Sequence, residues 1–444
     1  MGPLHGVPIS LKDQFHVKGV ETTMGYVGWI GTHEGKERSP KTKDHESEMV
    51  RELRNLGAIL YVKTSVPHTL MSGETVNNII GYTWNPKNRN LCAGGSSGGE
   101  GALIGLRGSP AGFGTDIGGS IRIPAGFNGL YGIRGSAGRL PYEGMANSMD
   151  GQNSVLSVVG PLATTARSTT LLIKSILSQK PWLYDPLVVD MPWREDVVKE
   201  TQGLIKEKGK LAFAVMRSDG VVNVHPPVAR AIQMCVDALE KAGHEVIEWK
   251  PPSHEHGLTL TFKTWLYDGG KDIHGAFALS GEPMSKQIAM TYGEMVGHEF
   301  TASEIAENNV AKRQWQKDYM DYWNSTAKLT KNERPVDGVI CPLAPYAAAR
   351  PEKYQYYGLS SFVNGLDYTS VVVPVTEVDK RVDKLVDGYK PMNDQDKTAY
   401  EDYDPEIYDG AHVSVQLMGR RFQEEKMMVL AEYLGDQLGK SGYK

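Results

Sequence analysis

The sequence predicts an α/β fold, a single large domain built on a largely buried β-sheet. Compact apolar runs bounded by turn residues alternate with stretches of helical period along the 444 residues. No internal repeat and no linker rich in Gly, Ser or Pro divides the chain. A hydrophobic content of 40% over that length is enough for one extended core.

The elements follow in order. Val7, Ile9 and Leu11 alternate with their neighbours and predict a strand ending at Lys12. Residues 46–56 have helical pattern and stop at Gly57, and the apolar run 58–64 (AILYVKT) reads as a buried strand. LAFAV (211–215) is a second buried strand; residues 227–242 start with proline and end at Gly243, the usual asymmetry of helix termini. Thr301-x-x-Glu304 is a capping box opening a long helix with Trp315, Tyr319 and Tyr322 on nearby turns. Buried strands are expected at 336–342, 370–375 and 412–419, and a closing amphipathic helix at 420–438. Residues 377–409, rich in Asp, Lys and Tyr, read as a long surface excursion and a candidate lid.

Composition excludes several functions. A formal net charge of −5 without clustered Lys and Arg argues against a nucleic-acid surface. The mixed charges of 41–48 read as a solvated face. Cys92, Cys235 and Cys341 are odd in number and dispersed, with no C-x-x-C pair, so neither a disulfide framework nor a structural zinc site is expected. No apolar run approaches membrane-spanning length, the N-terminus has no signal-peptide h-region, and Gly6 breaks the myristoylation motif. A cytoplasmic protein with no membrane partner is the expectation.

Two glycine-rich clusters carry the chemistry. The first, CAGGSSGGEG (92–101), is not a P-loop, because Glu100 stands where phosphate binding needs a cation. Ser96 and Ser97 each fit G-x-S-x-G, yet a polar loop, 85–93, precedes them where a nucleophile elbow needs a strand. The second, GFGTDIGGSIRIPAGF (112–127), fails the Rossmann pattern at Ile117. Its turn Asp116-Ile117-Gly118-Gly119-Ser120 instead offers unshielded N–H groups around a serine, the makings of an oxyanion hole. A lysine at the end of a buried strand, as expected for Lys12, loses hydration and can accept a proton as the neutral amine.

GGSSGGEGALIG and GTDIGGSIRIPA, with the upstream GPLHGVPISLKD, resemble the amidase signature family of serine hydrolases. The likeness extends through 62–86, 157–168, 366–375 and 413–428, nearly the whole chain. Residues 12–31 and 141–152 look most like the fungal acetamidase or general amidase branch. The resemblance implies a central mixed, twisted sheet with helices on both faces, spanning 1–444 as one amidase domain, and no cofactor or metal. It implies a Ser–Ser–Lys triad: Ser120 as nucleophile, Ser96, preceded by a cis peptide bond, as bridge, and Lys12 as base. Ile117, Gly118 and Gly119, with Ser120's own N–H, would form the oxyanion hole. Ser97, Asp116 and Arg122 would hold the loop from behind, and Leu70, Met71 and Ile123 would line the acyl pocket. The expected partner is a small aliphatic or aromatic amide, with a homodimer left open.

Two departures from the family stand out. Arg134-Gly135 replaces the usual Lys-Pro, and relatives carry a helical leader before Gly-Pro-Leu-His-Gly, where this sequence begins. The second sets an expectation of thinner cover over Lys12, and a truncated, inactive member is one alternative. The other is the glutaminase subunit of a tRNA-dependent amidotransferase, which a polar residue in place of Ile123 would have favoured.

Overall fold

A computed structural model of the chain describes residues 1–207 and 211–439; the expected domain's last residues, 440–444, lie outside it. Twelve strands are present among the described residues: β1 (Pro8–Lys12), β2 (Ile59–Thr64), β3 (Val76–Asn77), β4 (Gly81–Tyr82), β5 (Ala111–Asp116), β6 (Tyr131–Arg134), β7 (Val158–Ala163), β8 (Ala212–Val215), β9 (Glu245–Glu248), β10 (Gly338–Cys341), β11 (Ser370–Glu377) and β12 (His412–Met418). Ten form one sheet in the order β2-β1-β5-β7-β6-β11-β12-β10-β8-β9, and β3 pairs with β4 alone.

The sheet is mixed. β1 runs parallel to both β2 and β5, and β8 is parallel to β9 and β10. The middle strands, from β5 through β7, β6, β11 and β12 to β10, are antiparallel. Every residue of β5, β6, β7 and β10 is buried, so helices cover both faces there. Ser10 pairs with Gly112 and Leu11 with Phe113, which brings the ends of β1 and β5, Lys12 and Asp116, to one edge of the sheet. Crevices beyond the carboxyl ends of parallel strands are where α/β sheets place ligands.

Local rules account for the helices read from sequence. The helix Ala302–Ser325 opens with the capping box in place, Thr301 and Glu304 satisfying each other's backbone, and it buries Trp315, Tyr319 and Trp323. The helix Pro226–Lys241 starts on proline and buries Val228, Ile232, Cys235 and Leu239.

Three readings need correction. β2 is an edge strand with a single neighbour, and Ile59 and Tyr61 on its alternate face are exposed, so it is not a buried strand. The last helix runs Glu424–Gln437, because Phe422 adopts φ +59° and Arg421 turns away to pair with Asp367. Residues 377–409 do not cover the glycine–serine site. They fold into two short helices tied to the start of the helix Pro226–Lys241, through Asp383 to Arg230 and Asp396 to Asn223, and border another cavity.

Candidate active site

Each serine cluster bends from extended chain into a helix. Ser96 and Ser97 directly precede the helix Gly98–Gly105, and Ser120 lies between β5 and the helix Arg122–Phe127. The Ser97 N–H donates to the Ser120 carbonyl at 3.1 Å, which locks the two turns side by side. The Gly95–Ser96 peptide bond is cis. Glycine is required at 119, where φ is +125° and a Cβ would lie 2.7 Å from the side chains of Ile123 and Ser360. At Gly118 a Cβ would strike the Trp265 ring at 2.8 Å, so the turn's backbone lies directly beneath that indole.

Lys12 is wholly buried, and the expectation of thinner cover is wrong: strand pairing on both sides and the serine turns enclose it. Its Nζ donates to Ser96 Oγ at 2.8 Å and to Thr115 Oγ1 at 2.6 Å. The proton directions can be worked out. Both amide hydrogens of Gln14 are committed, to the Ala146 carbonyl at 2.6 Å and to Tyr142 Oη at 2.7 Å. Gln14 Oε1 therefore accepts from the Thr115 hydroxyl at 2.7 Å, and Thr115 Oγ1 is left to accept from Lys12. One N–H of Lys12 is thus fixed on Thr115, and the nitrogen's remaining valence faces Ser96. Burial lowers the Lys12 pKa to about 7, against the opposing pull of Asp116 and Glu100.

Glu100 is also buried. It accepts from Ser10 Oγ at 2.6 Å and Thr64 Oγ1 at 2.7 Å, and burial pushes its carboxyl up to about 7 despite those bonds. Behind the second turn, Asp116 and Arg122 are both fully buried. Arg122 holds Asp116 with two N–H groups, at 3.0 and 3.1 Å, and reaches Asn364 Oδ1, Gln416 Oε1 and the Ser360 carbonyl. Burial pushes the Asp116 carboxyl up, but Arg122 and the Asn364 amide outweigh it and hold it at about 2. Ser97 Oγ sits 3.4 Å from the Thr115 backbone on β5, a contact between turn and strand.

The Gly119 N–H is spent on Asp116 Oδ1 at 2.8 Å. No acceptor among the described residues takes the N–H groups of Ile117, Gly118 or Ser120, and the Ser120 hydroxyl has no partner among them either. Those groups border a pocket that also brings together Leu70, Met71 and Ile123. Phe262, Trp265, Tyr292 and Tyr357 add an aromatic wall, with Ser72 and Thr291 among its polar groups, and sequence reasoning missed the four aromatics. They come from chain 140 or more residues beyond Ser120, and nothing in their local sequence separates them from core aromatics.

Comparison with known proteins supplies the family. The Amidase family profile matches residues 1–428. Over 439 residues the chain is 47% identical to an acetamidase of Aspergillus oryzae, covering 99% of this chain and 78% of that protein. It is 45% identical to an acetamidase of Emericella nidulans over the same length and the same shares. Among solved structures, a fatty acid amide hydrolase superposes with a TM-score of 0.88 at 33% identity, over 99% of this chain and 74% of that one. Among the described residues no helix is long and apolar enough to cross a membrane. With the fold, the serine turns and these likenesses in agreement, the chain belongs to the amidase family and is an amide-hydrolysing enzyme.

Proposed function

We propose that this enzyme hydrolyses small aliphatic or aromatic carboxylic amides through Lys12, Ser96 and Ser120. The single observation that carries the reading is the buried Lys12 amine, 2.8 Å from Ser96, with its pKa brought to about 7 by burial. Near neutral pH a large share of it is then a free base.

Ser120 Oγ attacks the amide carbonyl carbon while its proton passes to Ser96 and the Ser96 proton passes to Lys12. The Ser120 hydroxyl turns toward Ser96 as substrate arrives, since catalytic hydrogen bonds tighten in the substrate complex. The N–H groups of Ile117, Gly118 and Ser120 take the developing oxyanion, each donor being worth roughly 3 kcal/mol in comparable sites. Gly119, already bonded to Asp116, holds the turn in shape. On collapse the C–N bond breaks, Lys12 returns its proton through Ser96 to the leaving nitrogen, and ammonia or an amine departs. Water then attacks the Ser120 ester, giving its proton to the same relay, and carboxylate is released.

The apolar Leu70, Ile123 and Phe262 around the pocket support neutral acyl groups and disfavour a glutamine-specific site. Sequence similarity to two fungal acetamidases points the same way. Three buried free thiols fit a reducing, cytoplasmic setting. Ammonia release from acetamide, propionamide and benzamide by the purified chain tests the substrate class. Ser120→Ala should abolish both turnover and labelling by a fluorophosphonate probe. Turnover that survives Ser120→Ala would overturn the assignment.

A further inference from the structure

Four residues outside the amide site converge although sequence spacing gives no hint of it. His16 follows β1 by four residues, His33 and Glu34 sit on a tight turn, and His45 precedes the helix Glu48–Asn55. The imidazoles of His16 and His33 lie 4.8 Å apart between ring centres, and His45 packs edge-on against both, at 5.0 and 5.4 Å. His16 Nε2 meets Glu34 Oε1 at 3.0 Å. One ligand atom each from His16, His33 and Glu34 lies within 4.8 Å of the others.

We propose that His16, His33 and Glu34, with the His45 ring packed against both imidazoles, form a divalent zinc-class site that pins the 30–47 excursion to the end of β1. Imidazole nitrogen with one carboxylate oxygen is a donor set for zinc rather than for magnesium or calcium, which take oxygen. Bonds of about 2.0–2.1 Å to a tetrahedral ion place ligand atoms roughly 3.3–3.5 Å apart. From a separation of 4.8 Å the side chains need to close in by about 1.5 Å at most, within the reach of small χ rotations.

The backbone that carries them is already fixed. The His16 N–H donates to Ser47 Oγ at 2.9 Å, and the Ser47 N–H to the His16 carbonyl at 3.0 Å. His33 and Lys36 exchange backbone hydrogen bonds across the turn. The exposed Lys41 lies near enough to act on His33 and opposes any cation there, so strong coordinate bonds are needed rather than diffuse attraction. Histidines 16 and 33 are buried and Glu34 is only 30% exposed, so an ion would be largely shielded from water. Three protein donors leave the fourth position to water, and Ser120 belongs to another pocket, so the ion would tie the excursion down without taking part in the amide chemistry.

Isothermal titration of the chelator-treated full chain with Zn²⁺ tests this, with metal content measured after gel filtration. One ion per chain is expected, with tetrahedral visible absorption when Co²⁺ replaces it. A hundredfold excess over Kd should raise Tm by about 3 °C. His33→Ala should lose the stoichiometric ion and the Tm shift while retaining amide turnover, which reports that the variant is folded. Glu34→Gln, at a partly exposed position, should lose most of the affinity without risk to the core. Absence of binding at micromolar Zn²⁺, or equal binding by the parent and the Glu34→Gln variant, overturns the proposal.

Discussion

Two buried charged clusters lie one residue apart along β5, and they have opposite characters. Thr115 belongs to the Lys12–Ser96 cluster; Asp116, the next residue, belongs to the Arg122 clamp. Both are shut away from water. In the clamp the charges face each other, with Asn364, Gln416 and a backbone carbonyl completing the set, and Asp116 stays ionised. In the lysine cluster the close partners are neutral hydroxyls, so burial is not repaid by a counter-charge and the amine gives up its proton near neutrality. Burial with a matching charge builds a rigid support, and burial without one makes a base. The support holds the Gly119 turn in place, and in the proposed mechanism the lysine is the base for the serines next to it.

The widest gap between the clusters should appear in activity. Lys12→Ala should cut kcat/KM by roughly 10⁴–10⁶-fold while the circular dichroism spectrum is kept. If a histidine substitution silences turnover while Lys12→Ala stays active, the base has been misassigned.

Arg122→Ala should act on stability instead. Leaving Asp116 buried and unpaired should cost about 3–5 kcal/mol in chemical denaturation. The sign in pH follows from Asp116: its folded pKa lies below the unfolded value, so its contribution is present above about pH 4 and is lost as pH falls toward 2. A wild-type stability that varies little between pH 4 and pH 2 would mean that the clamp is weak.

Lys12→Met should go the other way, gaining about 1–2 kcal/mol at pH 7 while activity is lost. The native Lys12 pKa lies below its unfolded value, so the unfolded chain binds more protons between about pH 7 and 10.5. Lysine therefore destabilises the fold most at the low end of that window. A lower Tm for Lys12→Met at pH 7 would show that the amine contributes to stability after all.

The smallest effect concerns Glu100. Wild-type kcat/KM should fall about tenfold per unit below a pKa near 7, as the amine takes up its proton. Glu100 raises the Lys12 pKa, so Glu100→Gln should move this acidic limb to lower pH by less than about one unit. A shift to higher pH would contradict the coupling.

Legibility varied with the range of the interaction. Strands and helices whose cause is local could be read: the alternation before Lys12, the capping box at Thr301 and the proline that opens the helix Pro226–Lys241. The apolar run of β2 reads as buried because composition does not say whether a strand has one neighbour or two. The excursion 377–409 has a lid's composition, yet Asp383 and Asp396 tie it elsewhere. The histidines at 16, 33 and 45 follow no ligand spacing, and only the folding of a loop brings their rings together.

By itself the sequence determined the α/β class, the family likeness, and which serines and lysine to examine. Glycine runs, a capping box and an alternating strand each act over a few residues. Tertiary structure alone decided the rest. It buried Lys12 between two strands and left its proton no counter-charge within hydrogen-bond reach. It committed the Gly119 N–H to Asp116 and set Trp265, 145 residues beyond Ser120, over Gly118. A pKa and a pocket wall depend on what surrounds a group in space, and chain separations of this size leave no periodic trace.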